Sequence, residues 1–448
     1  VETGAAQQVD ARKRAALPDR LWVPAVAGLV LAVLFLVALL VRAGGDVSLL
    51  VHAAPPWTDP AAARPSLTVQ PADDGFDGQF FYRLGVAPWS TDETVAGVAN
   101  DLPALRNARW GYGALAWVAS AGDPDLVPWS LAGVNLIAAG ALGAVGGGLA
   151  RSSGRHAAWG LLFVLWPGFA YSLSLDTSEL VATTFALGGL LAVRHRRWLP
   201  AGALFAAAVI TRDTALVVPA GVAAGGLAWT LFVRDRRSGG ATAGPGDGLR
   251  TVAAGGSGVV VFGAWQLVQR ARFGELPLTS SGDNNLSAPF AGLVDQVLAT
   301  VPPTGVEDVF RLVCMAGVVA LVTAASVTQR ARWGARRGNA TSGRTAPIDT
   351  APGDTARDAP PAPTGVGAAA LGESAAWCLA VAVVVLLNDY LWSGATAFMR
   401  ATTEAGVLSV LVLLGHRGRG ADRLVTVAGI GLAALWTLTA VAQLTKLG

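Results

Sequence analysis

The sequence predicts an all-α integral membrane protein that crosses the bilayer about eleven times and carries a long first extracytoplasmic loop. Three observations predict it. The 448 residues are 53% hydrophobic and 14% charged, with a mean hydropathy of +0.49, where a soluble globular chain carries roughly 25% charge. Long runs such as Leu21–Val41 contain no charge at all, and about 20 apolar residues suffice to span a bilayer. The basic residues fall in short clusters between those runs, as the positive-inside rule requires of cytoplasmic loops. A formal net charge of +3 gives no electrostatic reason to expect a nucleic-acid partner. The two cysteines, Cys314 and Cys378, both sit in apolar runs, which suits packing better than a disulfide or a metal site. Of the 4 histidines, His156, His195 and His416 lie in basic loops, so a histidine metal centre is not expected.

Arg12, Lys13, Arg14 and Arg20 place a tail, residues 1–20, in the cytoplasm. The first apolar run is too long for a signal-peptide core and reads as a retained span, Leu21–Val41. A mostly polar outer loop, 43–124, follows. Further spans are expected at Leu126–Ala150, Ala157–Leu173, Leu180–Val193, Trp198–Ile210, Thr214–Val233, Leu249–Val268, Val309–Val327, Ala375–Leu387, Ala401–Leu414 and Leu424–Leu444. The clusters at Arg194–Arg197, Arg234–Arg237 and Arg330–Arg337 then fall inside. Trp110–Ala119 is apolar but short; reading it as an interfacial or re-entrant helix keeps Arg151 and Arg155 inside. The spans divide into a core, 21–329, and C-terminal helices, 364–448. Between them Arg330–Pro363 is rich in Arg, Gly, Ala, Pro, Thr and Asp without apolar periodicity, and reads as a disordered cytoplasmic linker. Ser238–Gly248 looks like a smaller version. Gly143 and Gly147 form a G-x-x-x-G pair suited to close helix packing.

The unusual polar residues gather at the outer ends of spans. They are Asp73, Asp74 and Asp77 in the first loop, Asp176-Thr177-Ser178-Glu179, Thr211-Arg212-Asp213, and Asn388-Asp389-Tyr390 with Arg400. Ionisable groups near hydrocarbon are costly and usually face a cavity where they have work to do. Each also has a plainer reading. Asp176 to Glu179 can cap the following helix, Arg212 and Asp213 can form a local ion pair, and the loop acids can be solvated. Asp77 stands apart because Gly75 and Gly78 permit a tight backbone while Phe76, Phe80, Phe81 and Tyr82 supply apolar walls. A carboxylate so enclosed can have its pKa shifted and act as a base.

The run Asp77-Gly78-Gln79-Phe80-Phe81-Tyr82-Arg83 resembles the D-G-Q-F/Y-Y-Y-x signature of a family of bacterial multispan proteins. That family is similar to the GT-C superfamily of glycosyltransferases, which use polyprenyl-phosphate sugars. Later stretches resemble the family in order and spacing. Arg109-Trp110-Gly111-Tyr112-Gly113-Ala114-Leu115-Ala116-Trp117 resembles R-x-x-Y-P-x-L-A-W, with Gly113 in place of Pro. Val134-Asn135-Leu136 matches V-N-L. Trp166-Pro167-Gly168 with Asp176-Thr177-Ser178-Glu179 resembles a P-G plus T-E turn, with Ser178 inserted. Thr211-Arg212-Asp213-Thr214 resembles T-R-E-T, with Asp213 for Glu. A more distant likeness is to the GPI mannosyltransferase II type. The resemblance covers Leu21 to Pro219.

The resemblance implies an inverting transfer of a sugar from a lipid-linked donor to an extracytoplasmic acceptor. Asp77, in the first outer loop, takes the position of the essential acid and general base. Arg212 and Arg400 are the candidates to bind the leaving phosphate, since guanidinium pairs well with phosphate oxygens. Asp74, Gln79, Tyr82, Asp176, Glu179 and Asp213 stand as supporting residues. Some GT-C enzymes use a divalent metal, Mg or Mn, for which Asp73 and Asp74 are the candidate ligands. A transporter or flippase, or a non-catalytic assembly protein of the same fold, would use the same polar groups.

Overall fold

Once water is removed, every backbone polar group must be satisfied internally, and a helix does this within one segment. The charge-free runs accordingly become helices, and the chain is an all-α polytopic membrane protein. The computed structural model describes residues 19–71, 75–233, 246–280, 285–342 and 367–446, with backbone alone for 335–342 and 419. Helix α1 (Trp22–Arg42) leads into a folded segment. This comprises a 3-10 turn at Val47–Val51, α2 (Gly78–Val86), the antiparallel pair β1 (Thr94–Val95) and β2 (Val98–Ala99), α3 (Pro103–Ala108) and α4 (Trp110–Ala119). There follow α5 (Val127–Ser152), α6 (Leu161–Val164), α7 (Gly168–Ser174), α8 (Glu179–Arg194), α9 (Trp198–Thr211), α10 (Val217–Ala228) and α11 (Asp247–Phe273). The chain continues with α12 (Pro277–Ser280), α13 (Ala291–Thr300), α14 (Val306–Ser342), α15 (Ala368–Leu386), α16 (Asp389–Trp392), α17 (Ala395–Ala401), α18 (Thr403–Leu414) and α19 (Arg419–Lys446).

Among the described residues, seven helices are long and apolar enough to cross a membrane, or nine if each of two bent pairs is one span. Apolar side chains such as Leu34, Ile137, Val260 and Ile430 are exposed on the flanks, where a membrane protein meets lipid. Helices α8 and α9, of 16 and 14 residues, are about 24 and 21 Å long at 1.5 Å per residue. They run between the same two polar ends as the longer helices.

One end is basic. Arg194 reaches Glu373 at 2.5 and 2.7 Å, Arg155 reaches the Leu414 carbonyl at 2.8 Å, and Arg417 the Ser153 carbonyl at 3.0 Å. Arg196 pairs with Asp247 at 2.8 Å. Helices α5 and α8 begin at the opposite end, where Tyr112 bonds the Leu131 carbonyl and Glu179 meets Arg212. Asp77 and Asp176 thus lie at the end of the bundle away from Arg194, as the sequence predicted. Arg234–Arg237 fall outside the described residues.

Two helices break at the Asp77 end, and the breaks interlock. The pair Ala157–Val164 and Gly168–Ser174 bends by 66°, and the pair Ala395–Ala401 and Thr403–Leu414 by 54°. The first break contains Pro167, which cannot donate to the preceding turn. There Trp166 donates to the Met399 carbonyl at 3.1 Å, and its ring lies against Gly406, where a Cβ would meet it at 2.2 Å. The second break frees the Arg400 carbonyl, which accepts from Arg212 at 3.0 Å and from Thr403 at 2.8 Å.

Several boundaries differ from the sequence reading. The first outer loop is folded: α2 and α4 pack on α5, α4 also on α9, and α3 on α11 and α12. Helix α4 keeps its expected bounds: it has 10 residues, about 15 Å, half the hydrocarbon thickness, too short to span. Helix α14 continues past Val327 to Ser342, so the expected linker begins as helix; 343–366 lie outside the described residues. Helix α15 starts at Ala368, seven residues before the expected Ala375, because Ala369, Ala370 and Leu371 extend its apolar run. Of the smaller linker, 238–245 lie outside the described residues, while Asp247 already opens α11. Gly143 and Gly147 do pack closely: a Cβ at either would lie 2.2 Å and 2.9 Å from Pro24 atoms of α1.

Candidate functional site

Asp77 holds the N-cap position of α2. Gly75 before it is left-handed at φ +71°. A Cβ on Gly78 would lie 2.5 Å from the Val51 carbonyl oxygen and 2.6 Å from that of Leu175. The Asp-Gly pair is therefore steric as well as chemical. Glycine lets the start of α2 press onto the 3-10 turn and onto the turn between α7 and α8. That contact sets Asp77 beside the groups that follow Leu175.

There Asp77 enters a network of ions. Its Oδ1 accepts from Arg106 Nη1 at 2.6 Å and its Oδ2 from Arg400 Nη2 at 2.7 Å. Arg109 Nη1 stands 3.8 Å from Oδ2. Arg106 is fixed by a two-toothed bond to Asp101, at 2.8 and 2.7 Å, and by the Phe80 ring 3.9 Å beneath it. Arg400 turns its Nε to Glu179 Oε1 at 2.5 Å and lies over Phe76 at 4.8 Å. The same Glu179 oxygen accepts from Arg212 Nη1, while its other oxygen accepts from Ser172 at 3.1 Å. Arg212 also bonds Thr214 at 2.7 Å and stands 3.6 Å from Glu404. Arg109 Nε lies 3.3 Å from Asp213.

The network is graded. The Glu179 side chain is 0% exposed and forms the floor, whereas Asp77 is 21% exposed at the mouth. Four guanidiniums (Arg106, Arg109, Arg212, Arg400) face five carboxylates (Asp77, Asp101, Glu179, Asp213, Glu404). Such near balance is what makes so many desolvated charges tolerable. Burial alone would raise the Asp77 pKa. The charges of Arg400, Arg106 and Arg109 outweigh it and hold the carboxyl well below the usual range. The sequence suggested an enclosed acid with a shift toward basicity; the arginines reverse that shift.

Several expected supporting residues have other work. Gln79 accepts from Thr58 at 2.7 Å and from the Ala54 amide at 3.4 Å, tying down the first loop. Tyr82 is fully buried toward Ser66 and Arg64, away from Asp77. Asp176 is fully buried with φ +44° and lies beside Tyr112, outside the arginine network. Arg212 and Asp213 do not pair with each other as neighbours; Arg212 reaches Glu179 of α8 and Asp213 reaches Arg109 in the turn between α3 and α4, because the extended backbone at Arg212 throws their side chains apart. Asn388 caps α16 through Leu391 at 3.1 Å, and Asp389 stays out of the network. Asp73 and Asp74 lie outside the described residues.

The carboxylates of the arginine network do not suit a divalent cation, and the expected ligands Asp73 and Asp74 lie outside the described residues. Among the described residues no three His, Cys, Asp or Glu side chains group as ligands, and each carboxylate of the network faces guanidinium rather than another carboxylate. Beside the network lies a cavity of about 210 Å³. Asp213, Thr214 and Glu404 form its polar edge, and its walls are apolar, among them Phe262, Ala380 and Val383. Arg106, Asp101 and Glu404 were not singled out from the sequence. Glu404 carried a readable signal, an acid inside an expected span and four residues after Arg400. Arg106 and Asp101 looked like ordinary loop charges. No protein-family model, curated protein or solved structure matches the chain.

Proposed function

We propose that this chain is a membrane glycosyltransferase of about eleven spans, its N-terminus cytoplasmic, that transfers a sugar from a polyprenyl-phosphate donor to an acceptor hydroxyl outside the cell membrane. One juxtaposition carries the reading. A carboxylate held by guanidiniums at the mouth of the site, Asp77, shares its network with Asp213 and Glu404, which edge an apolar cavity. An acid, phosphate-binding side chains and a place for hydrocarbon are the three needs of such a donor. A transporter would gather its polar groups near the bilayer midplane between related halves; this network lies at the helix ends.

The chemistry follows from the charges. With no donor bound, Arg400 and Arg106 suppress the basicity of Asp77. The donor is a phosphodiester anion that competes for the same guanidiniums, and as they turn to its oxygens Asp77 regains basicity. Asp77 then takes the acceptor hydroxyl proton. The acceptor oxygen bonds to the anomeric carbon while the carbon–oxygen bond to phosphate breaks, and the configuration inverts. The leaving lipid phosphate gains one negative charge, which the nearby arginines neutralise without reorganising solvent. Glu179 stays on the floor and holds Arg400 and Arg212 in place.

The reading is tested by reconstituting the protein in vesicles with a panel of radiolabelled polyprenyl-phosphate sugars and membrane extracts as acceptor. Transfer that depends on the protein supports it. Absence of transfer across the panel, with no protection of the protein by any donor, counts against it.

A further inference from the structure

The opposite, basic end of the bundle holds a larger cavity, about 680 Å³, that the reaction above does not use. Arg151, Arg155, His156 and His195 line it, with Leu21 and Leu191 as apolar wall and Asp19 as its acid. Arg155 is spent on structure, since it bonds the Leu414 and His416 carbonyls and Asp422. Arg151 is not. Its side chain is 49% exposed and its ion pair with Asp19 is loose, 3.7 Å. His195 is exposed, with Nδ1 on the Leu191 carbonyl at 2.9 Å. Arg417 adds a third guanidinium at the rim, bonded to the Ser153 carbonyl beside Gly154.

We propose that this cavity binds the phosphate headgroup of an anionic membrane lipid. Three guanidiniums, Arg151, Arg155 and Arg417, face two carboxylates, Asp19 and Asp422, so the charge balance favours an anion, unlike the compensated network at the other end. The pocket opens at the ends of α5 and α8, both apolar helices that leave the bilayer there. A headgroup can therefore reach Arg151 and His195 while its chain follows Leu21 and Leu191 into the hydrocarbon. Basic pockets between membrane helices recognise lipid phosphates in this way.

The test is native mass spectrometry of the delipidated full chain, offered equal concentrations of phosphatidylglycerol and phosphatidylcholine, with and without inorganic phosphate. Phosphatidylglycerol should be retained preferentially. The double variant Arg151→Gln, His195→Gln should cut that retention by about fivefold or more. Arg151→Lys, which keeps the charge, should restore much of it, and Arg42→Gln at the far end should change nothing. Equal retention of both lipids, or a double variant that folds and retains lipid as the parent does, would overturn the proposal. So would full displacement by inorganic phosphate, which would make the cavity a free-anion site.

Discussion

At the scale of single residues, Asp77 and Gly78 act as one unit. Gly78→Ala places a methyl against the Val51 and Leu175 carbonyls. Backbone cannot yield as a side chain can, so α2 should shift and Asp77 should leave its arginines. The expected outcome is loss of activity together with a lowered thermal midpoint in detergent. The charge state of Asp77 gives a second outcome. Its folded pKa lies below the ordinary 3.8, so the folded chain gives up this proton more readily than the unfolded one. The stability contributed by its ion pairs is therefore complete above the ordinary value and drains away as pH falls toward the depressed one. Asp77→Asn should be less stable than the parent at about pH 7, and the two unfolding curves should converge as pH falls below about 4. Parallel curves would mean that Asp77 gains nothing from its arginines. The sequence made Asp77 legible through its glycines and rings. It did not show the direction of its pKa shift, which depends on Arg106 and Arg400, 29 and 323 positions away.

At the scale of elements, the site is assembled where two helices break. Pro167 marked the first break in the sequence. Nothing local marked the second, where Thr402 has φ −96° and ψ 9° and the freed Arg400 carbonyl is satisfied by Arg212 from another helix. The same limit hid Arg106. Helix α3 is 6 residues long, too short for apolar periodicity to reveal, and its register is set by packing. Asn135 was legible as part of a motif, and its function is structural. It is fully buried on α5, and its amide donates to Tyr112 at 2.7 Å, to the Ser172 carbonyl at 3.0 Å and to that of Thr177 at 3.3 Å. It thereby joins α4, α5 and the turn carrying Asp176. Asn135→Ala should leave these buried acceptors short of a donor and cost about 1–3 kcal/mol, measurable by chemical unfolding in detergent. A cost near zero would mean that water or a rearranged turn replaces the amide.

At the scale of the whole molecule, the chain separates two polar ends, one built from paired arginines and acids and one basic. The alternation of apolar runs with basic clusters made this architecture readable, because hydrocarbon leaves helices as the simplest solution and charge sorts their ends. The short helices α8 and α9 lie within one residue of their expected ends, whereas the folded first loop was less readable, since packing rather than hydropathy holds it in place. The proposed orientation predicts that cysteines introduced at Arg196 and at Asp389, in a background lacking Cys314 and Cys378, should label from opposite sides of a sealed membrane, with Arg196 inside. Labelling of both from one side would break the arrangement. The central claim is that Asp77 accepts the proton of the acceptor hydroxyl once a lipid phosphate has drawn its arginines away. The most direct measurement is donor binding and sugar transfer, side by side, for the parent and Asp77→Asn in the same vesicles. Transfer should fall by about 10²–10⁴ while donor binding persists, because the arginines remain. Transfer undiminished in Asp77→Asn would contradict the account.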